Sequence, residues 1–552
     1  DSLLFIPLGG AGEIGLNLNV FQLDGKYLIV DFGAGFADDY FPGINMLVPD
    51  ITFLEEHKDD ILGIVITHAH EDHQGAVQYL WPRLGCPIYT TSFTANFIRT
   101  KVERYSMAKS IKLVEVNPNQ RLSLGPFELD FMPLTHSTLE MHGLMIRTRH
   151  GNLFHTGDWK FDHNPVIGNA ADMGKLAEYG KEGVLAVIGD STNIFSQGFS
   201  GSEGDLAESL TQLIGKCKQL VCVTTFASNV HRIQALADAA HKCGRRVGML
   251  GTSLWRFVNA ARASGYLKDY EFLSDNEIKK CPRDRLLIIS TGCQGEPLAS
   301  TFKLASDAHP VIKLKPGDTM IFSSKIIPGN DKSIFRIFNK LIELGIDVMT
   351  EKDHFVHVSG HPSRDELAKM YELLKPEMVI PVHGEIMHMH EHAKFAPQHG
   401  AKTSREVRNG DVMVISDGKE QFGELVGQVE HGVFGVDGIS LIHERSPVLK
   451  ARRRLSREGV VFANLLFDDK MRLIDQPYLK LPGLLDDEDD VDMINELTNQ
   501  IIDSLDKSYQ SIAKSRDQEL VASIVRTNIK QFLKEHLGKN PIIITDVRVF
   551  SK

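Results

Sequence analysis

The sequence predicts a multidomain α/β protein, on three observations. The chain has 552 residues, more than one hydrophobic core serves, so two to four domains are expected. Residues 1–202 read as short strands between turns, several alternating apolar and polar side chains. From about residue 203 the texture changes to alternating helix and strand, the rhythm of βαβ units around a parallel sheet.

The first block supplies its strands in order as "LLFIPLG", "LNVFQLD", "KYLIVDFG", "ILGIVIT", "CPIYTT", "FELDFMPL", "LMIRTR", "NLFHTGD" and "VLAVIGD", with helices around 74–83 and 91–109. The second block pairs "DLAESLTQLIGKC" with "LVCVTTF" and "NVHRIQALADAAHKC" with "RVGML", then continues through "RLLIIST" and "TMIFSS". Near 350 the strand-and-turn style returns in "VMTEKDHFVHVSGH" and "MVIPVHGE", with "DELAKMYELLKP" a helix between them. After about 448 come a basic run, "KARRRLSR", an acidic loop, "LLDDEDDVD", two helices and a closing strand, "NPIIITDVRVF". Ile494, Leu497, Ile501 and Leu505 set the apolar stripe of the first of those helices. The expected division is 1–202, 203–350, 351–447 and 448–552, the first and third forming one domain around an insertion.

Composition narrows the function classes. Apolar residues are 42% and charged residues 24%, a globular balance without a disorder signature. No apolar run is long enough to span a bilayer, and "DSLLFIPLGG" lacks the basic start and apolar centre of a secretory leader. The six cysteines form no CxxC pair, which fits free thiols in a reducing cytoplasm. A net charge of -11 argues against a generic nucleic-acid binder but leaves room for a nucleic-acid enzyme with a narrow positive groove.

Gly10, Gly12 and Gly15 match a dinucleotide-binding fingerprint after a strand. That fingerprint requires a helix next, because the pyrophosphate sits on a helix N-terminus. Here another alternating strand follows, so these glycines are read as a tight turn that brings backbone close to a neighbouring site.

The strongest chemical signal is "IVITHAHEDHQGA", an apolar run that ends in His68, His70, Asp72 and His73. Imidazole nitrogen and carboxylate oxygen are the donors of hydrolytic metal sites, and a rigid strand behind them supplies the geometry that metals require. A His-rich surface loop is the plainer reading, and four ionisable groups directly behind a buried strand speak against it. One loop cannot fill two coordination spheres. The same grammar of apolar strand and polar tip recurs at His136, Asp158 and His383, with His155 a competitor for Asp158.

This set of residues resembles the metallo-β-lactamase superfamily, with Asp31 in "VDFG" as the carboxylate that orients the site. The long interval between Asp158 and His383 resembles the β-CASP nuclease branch. Asp190 in "IGDSTN", His361 in "HVSGH" and His383 in "PVHGE" match that branch's three motifs. "TFASN", "TGCQGEP", "SSKIIPGN" and "HVSGHPSRDEL" are similar to ribonuclease J, with Cys293 where serine is expected. The resemblance implies a metallo-β-lactamase αββα sandwich, an inserted β-CASP α/β domain and a small C-terminal α/β domain for RNA binding or oligomerisation.

It further implies two zinc ions, with manganese or magnesium as alternatives. His68, His70 and His136 would hold one, Asp72, His73 and His383 the other, with Asp158 bridging. His361 would serve the leaving oxygen, the other reading being a histidine that merely holds its turn. Asp31 and Asp190 would fix imidazole tautomers.

The implied substrate is single-stranded RNA with a 5′-monophosphate, trimmed from that end and also cut internally, in RNA maturation and mRNA decay. A phosphate pocket is expected from Ala227, Ser228 and Asn229 together with His357, Val358, Ser359, Gly360 and His361. Arg232 is expected either to neutralise that phosphate or to be a solvated helix residue. A homodimer or homotetramer, RNA-degradation partners and a cytoplasmic location complete the expectation. The alternatives are a non-catalytic RNA or degradation-complex scaffold and a different metallo-β-lactamase-fold hydrolase.

Overall fold

Every apolar stretch read as a strand in residues 1–202 forms one in a computed structural model, which describes residues 2–118, 120–416 and 422–550. An eight-stranded sheet runs in the order Leu425–Gln428, Asp411–Val414, Leu4–Gly9, Leu18–Leu23, Lys26–Val30, Ile61–Val65, Ile88–Thr90, Leu113–Glu115. A seven-stranded sheet runs Leu122–Leu124, Phe127–Pro133, His142–Thr148, Gly151–His155, Ala186–Asp190, Met378–Val382, Thr403–Ser404. The inward side chains of the two sheets share one core. Phe5, Phe21, Leu28 and Val65 of the first belong with Phe127, Phe131, Ile188 and Ile380 of the second. The helices Met173–Glu182, Arg364–Leu374 and Ile386–Phe395 contribute Tyr179, Met370 and Phe395 to a further core with Phe154, Val187 and Val379.

Parallel pairing aligns the strand ends that matter. Val30 lies beside Val65, so Asp31 and the residues after Val65 leave the first sheet together. In the second sheet Gly151–His155, Ala186–Asp190 and Met378–Val382 all run parallel, with Asp190 beside Val382. The tips carrying Asp158, Asp190 and His383 therefore share one edge.

Residues 221–349 form a separate parallel sheet in the order Arg246–Leu250, Leu286–Ser290, Val221–Thr224, Thr319–Phe322, Asp347–Met349. The chain leaves Val221–Thr224 toward one edge, returns at Leu286–Ser290, then crosses to the other side at Thr319–Phe322. The crevice beyond the carboxyl ends of Val221–Thr224 and Thr319–Phe322 is thus a topological switch point, the place where open α/β sheets bind ligands. The stretch read as strand and turn before His361 adds Asp347–Met349 to this inserted sheet and then runs as a loop to Ser363.

The chain divides into two compact units, residues 1–35 with 47–433 and residues 36–46 with 434–552. In the second, Val460–Phe467 pairs in parallel with Ile542–Val549 and antiparallel with Tyr478–Lys480. The helices Val491–Lys507 and Gln518–Leu537 cover this sheet through Leu497, Ile501, Val525 and Phe532. The basic run forms the helix Pro447–Glu458. Its arginines are engaged within the unit, Arg452 with Asp437 and Arg453 over the Tyr40 ring. No helix among the described residues is long and apolar enough to cross a membrane. All six cysteines are free thiols.

Arg232 corrects its expectation. It is neither a phosphate contact nor solvated, because it is fully buried and held by Glu203, its Nε donating at 2.9 Å and its Nη2 at 2.8 Å. Its Nη1 donates to the carbonyl of Ser323 at 2.9 Å. Burial alone would raise the Glu203 carboxyl, yet the Arg232 guanidinium holds it down at about 2.

A carboxylate depressed in this way contributes stability above its ordinary value of about 4.3, and that contribution fades as pH falls toward the folded value. Glu203→Gln should lower the denaturation midpoint at neutral pH, the cost of breaking a buried pair being about 3–5 kcal/mol. The gap between variant and parent should narrow below pH 4, as followed by circular dichroism melts from pH 2 to 7.

Candidate metal centre

Three tips of the sandwich converge on one buried carboxylate, Asp158. His68 lies just past Val65 and is fully buried, while His70 precedes the short helix Glu71–Gln74 that carries Asp72 and His73. The loop after Phe127–Pro133 brings in His136, and the turn after Met378–Val382 brings in His383.

His70 Nδ1 lies 3.0 Å from both His68 Nε2 and His136 Nε2. Asp158 Oδ2 lies 3.8 Å from each of those two Nε2 atoms. On its other side the same oxygen is 3.1 Å from His73 Nε2. Asp72 Oδ2 completes that side, 3.5 Å from His73 Nε2 and 3.2 Å from His383 Nε2. Two groups of donors that can hold a metal ion result, His68–His70–His136–Asp158 and Asp72–His73–Asp158–His383.

The surroundings set which ring nitrogen faces inward. The Nδ1–H of His73 donates to Asp31 Oδ2 at 2.7 Å, and that of His136 donates to the Gly360 carbonyl at 2.6 Å. Thr67 donates its hydroxyl to Asp31 Oδ2 at 3.1 Å, so that oxygen accepts from His68 Nδ1 at 2.9 Å. The Nε2 lone pairs of His68, His73 and His136 are therefore left to point at the centre. His383 Nδ1 donates to Asp158 Oδ1 at 2.7 Å, while its buried Nε2 has no hydrogen-bond partner among the described residues.

These are the donors a divalent cation fits. Two inward lone pairs face His70 Nδ1, and a single proton cannot satisfy both. Burial holds His68 and His136 well below the usual histidine range and His70 at about 4, leaving them neutral. Burial opposes charge on His73 and His383 as well, but Asp158 and Asp72 outweigh it, raising the first and pushing the second up to about 10. The second group therefore favours a cation.

The backbone pays for this convergence. Asp31 at φ 66° and His383 at φ 51° occupy the left-handed region, which costs non-glycine residues about 1–3 kcal/mol. Asp31 N–H donates to Val65 at 2.8 Å and His383 N–H to Gly10 at 2.6 Å. The Gly10–Gly15 turn thus packs against the site, and a strand follows it at Leu18–Leu23 in place of a nucleotide-binding helix. Gly33 is dictated by contact, since a Cβ there would sit 1.8 Å from the Asp72 carbonyl oxygen.

His361 lies beside the centre, its Nδ1–H donating to Asp190 Oδ2 at 2.7 Å. Ser359 accepts from Asn193 at 2.7 Å and from the His361 N–H at 3.1 Å. The segment 356–361 spans two anchors. At one end Ser323 donates to the Val356 carbonyl at 2.7 Å, and at the other His136 holds Gly360. His357 is mostly buried, its Nδ1 unpartnered among the described residues, and burial pushes it down to about 3. Val358 is buried in the inserted core, where Ala227 packs against it. Ser228 is half-buried. Asn229 caps the helix Val230–Lys242, accepting from Arg232 N–H at 2.9 Å and donating to Glu203 at 3.3 Å.

Sequence reasoning missed Asn17, whose amide lies 3.1 Å from His73 Nε2 and donates to the Asp72 carbonyl at 3.1 Å. It missed Thr67 too, although that residue directly precedes the histidine run. His155, the competitor for Asp158, turns away and contacts Asn19 at 3.3 Å.

Comparison with known families agrees along the chain. Residues 16–213 match the metallo-beta-lactamase superfamily and 218–341 the ribonuclease J beta-CASP domain. Residues 345–403 match the Zn-dependent metallo-hydrolase RNA specificity domain, and 447–548 the ribonuclease J C-terminal domain. Ribonuclease J of Sinorhizobium meliloti is 36% identical, covering 98% of this chain and 96% of its own. That of Thermus thermophilus is 34% identical over 99% and 95%. Ribonuclease J2 of Bacillus subtilis is 31% identical over 99% and 98%. A solved Enterococcus faecalis protein of unknown function shares the fold at TM-score 0.53 and 15% identity, over 75% of this chain and 100% of its own. The chain belongs to the ribonuclease J family, a metal-dependent ribonuclease with a metallo-β-lactamase fold, a β-CASP insertion and a C-terminal ribonuclease J domain.

Proposed function

We propose that the chain is a two-zinc ribonuclease that removes nucleotides from 5′-monophosphate ends of single-stranded RNA and also cuts internally. Manganese or magnesium can take the place of zinc, because imidazole and carboxylate donors accept them. The observation that carries the reading is the position of Asp158 Oδ2 between two donor groups, 3.8 Å from His68 Nε2 and 3.1 Å from His73 Nε2. His68, His70 and His136 hold one ion in this reading, and Asp72, His73 and His383 the other, with Asp158 shared. The chemistry supplied by the bound ions is a lowered pKa for the attacking water and an offset to the charge that builds on the phosphoryl oxygens.

The chain's own groups do the rest. Asp31 and Thr67 keep the first imidazoles in the tautomer that presents Nε2. Asp190 holds Nδ1 of His361, which leaves Nε2 to hydrogen-bond or protonate the departing oxygen. The 5′-phosphate pocket is assigned to residues 227–229 and 357–361. Support comes from their two anchors, the switch-point crevice at Ser323 and the metal donor His136. A pocket so placed sits a short distance back from the scissile bond and sets a one-nucleotide step. Residues 448–552 are assigned to homodimer or homotetramer formation, and RNA maturation and mRNA decay in the cytoplasm, with RNA-degradation partners, to the whole chain.

Asp72→Ala or His73→Ala should abolish RNA cleavage and lower bound metal measured by plasma mass spectrometry; full activity in either variant would sink the two-ion assignment. On one RNA sequence carrying 5′-monophosphate, 5′-hydroxyl or 5′-triphosphate, the monophosphate should be trimmed fastest, and equal rates on all three would refute the pocket. A chain ending near residue 447 should sediment at a lower mass than the full chain.

A further inference from the structure

The ribonuclease reading needs a path for RNA beyond the ions, and the net charge of -11 limits what electrostatics can supply there. Single strands are held by charge and by bases stacking on aromatic rings. Around the second donor group the rim is apolar.

Three segments build it, and each leaves a site residue directly. After Asp190 the chain turns through Thr192, whose hydroxyl donates to the His383 carbonyl at 3.1 Å, and reaches Phe195 with its ring 49% exposed. After His383 come Ile386 and Met387, 54% and 61% exposed, then His388. The third is the glycine turn, where Gly10 accepts from the His383 N–H and Ile14 is 48% exposed. Ile386 also lies against this turn, 3.6 Å from where a Cβ on Gly12 would stand.

Phe195 and His388 meet edge to face, ring centroids 5.2 Å apart. Burial lowers the His388 pKa, so it presents a neutral ring. A surface apolar cluster has a cost that monomeric proteins avoid unless a ligand covers it. The 227–229 and 357–361 segments are fixed on the opposite, His136 side through Gly360. RNA whose 5′ end sits there must continue over the other rim.

We propose that Phe195, braced by His388 and flanked by Ile386, Met387 and Ile14, is a base-stacking platform for the RNA on the 3′ side of the scissile phosphate. It rests on the ribonuclease reading and adds the path of the strand. Stacking takes any base, so the platform gives grip without sequence preference.

The test uses the metal-loaded enzyme and 5′-phosphorylated 2′-O-methyl decamers carrying 2-aminopurine at one position at a time. Stacking should quench the probe at one or two positions just 3′ of the first phosphodiester, and Phe195→Ala should remove that quench while Phe195→Trp keeps it. In RNA hydrolysis, Phe195→Ala should raise KM for a decamer about tenfold relative to a dinucleotide, in line with the measured range for one base–aromatic stack. Met387→Ser, a change at an exposed side chain, should act in the same direction. A wild-type enzyme that hydrolyses RNA but leaves every probe unquenched would overturn the platform alone, as would a Phe195→Ala variant with wild-type quench and KM ratio. A metal-loaded wild-type enzyme that hydrolyses no RNA would overturn the reading beneath it.

Discussion

A carboxylate buried among imidazoles is the constraint from which the rest of the catalytic unit follows. Asp158 is 2% exposed and touches His73, His383, His68, His136 and His361 at distances from 2.7 to 3.9 Å. An isolated buried charge is expensive, and it is tolerated only where opposite charge and hydrogen bonds surround it. Meeting that demand requires donors from five separate segments to reach one point. Parallel strands with aligned carboxyl ends are the economical way to deliver them, and the two sheets supply such ends face to face.

The demand extends one layer outward. Asp31, Thr67 and the Gly360 carbonyl touch no candidate cation position, yet they settle which nitrogen of three imidazoles carries the proton. Left-handed backbone at Asp31 and His383 follows from the same geometry. Gly33 belongs to this layer for steric reasons, because the Asp72 carbonyl occupies the space a side chain would need.

Much of this was legible in the sequence because metal donors sit at the tips of apolar strands, and both halves of that pattern are local. His68, His70, Asp72 and His73 announce themselves within six positions. His136, Asp158 and His383 were found because each ends an apolar run, and His155 was the ambiguity because it sits on the same tip. What was not legible depended on distant partners. Arg232 looked solvated or ligand-facing, since nothing nearby in sequence reveals that Glu203 and Ser323 enclose it. Asn17 lies in an ordinary alternating strand, and only the fold brings its amide to His73. Residues 36–46 read as a loop, and their grouping with 434–552 is a property of long-range contacts alone.

The 225-position separation of Asp158 from His383 sets an order of assembly. Closing a flexible loop of that length costs about 5 kcal/mol in chain entropy. The intervening parallel sheet shortens the effective loop only after it has folded itself. Met378–Val382 can therefore dock beside Ala186–Asp190 only late, and the donor set stays one histidine short until then. During synthesis from the N-terminus, a half-made chain displays the His68 cluster without the residue that completes the second group. Hydrolytic competence arrives with the last strands of the sandwich, so a nascent enzyme is disarmed beside the RNA that encodes it.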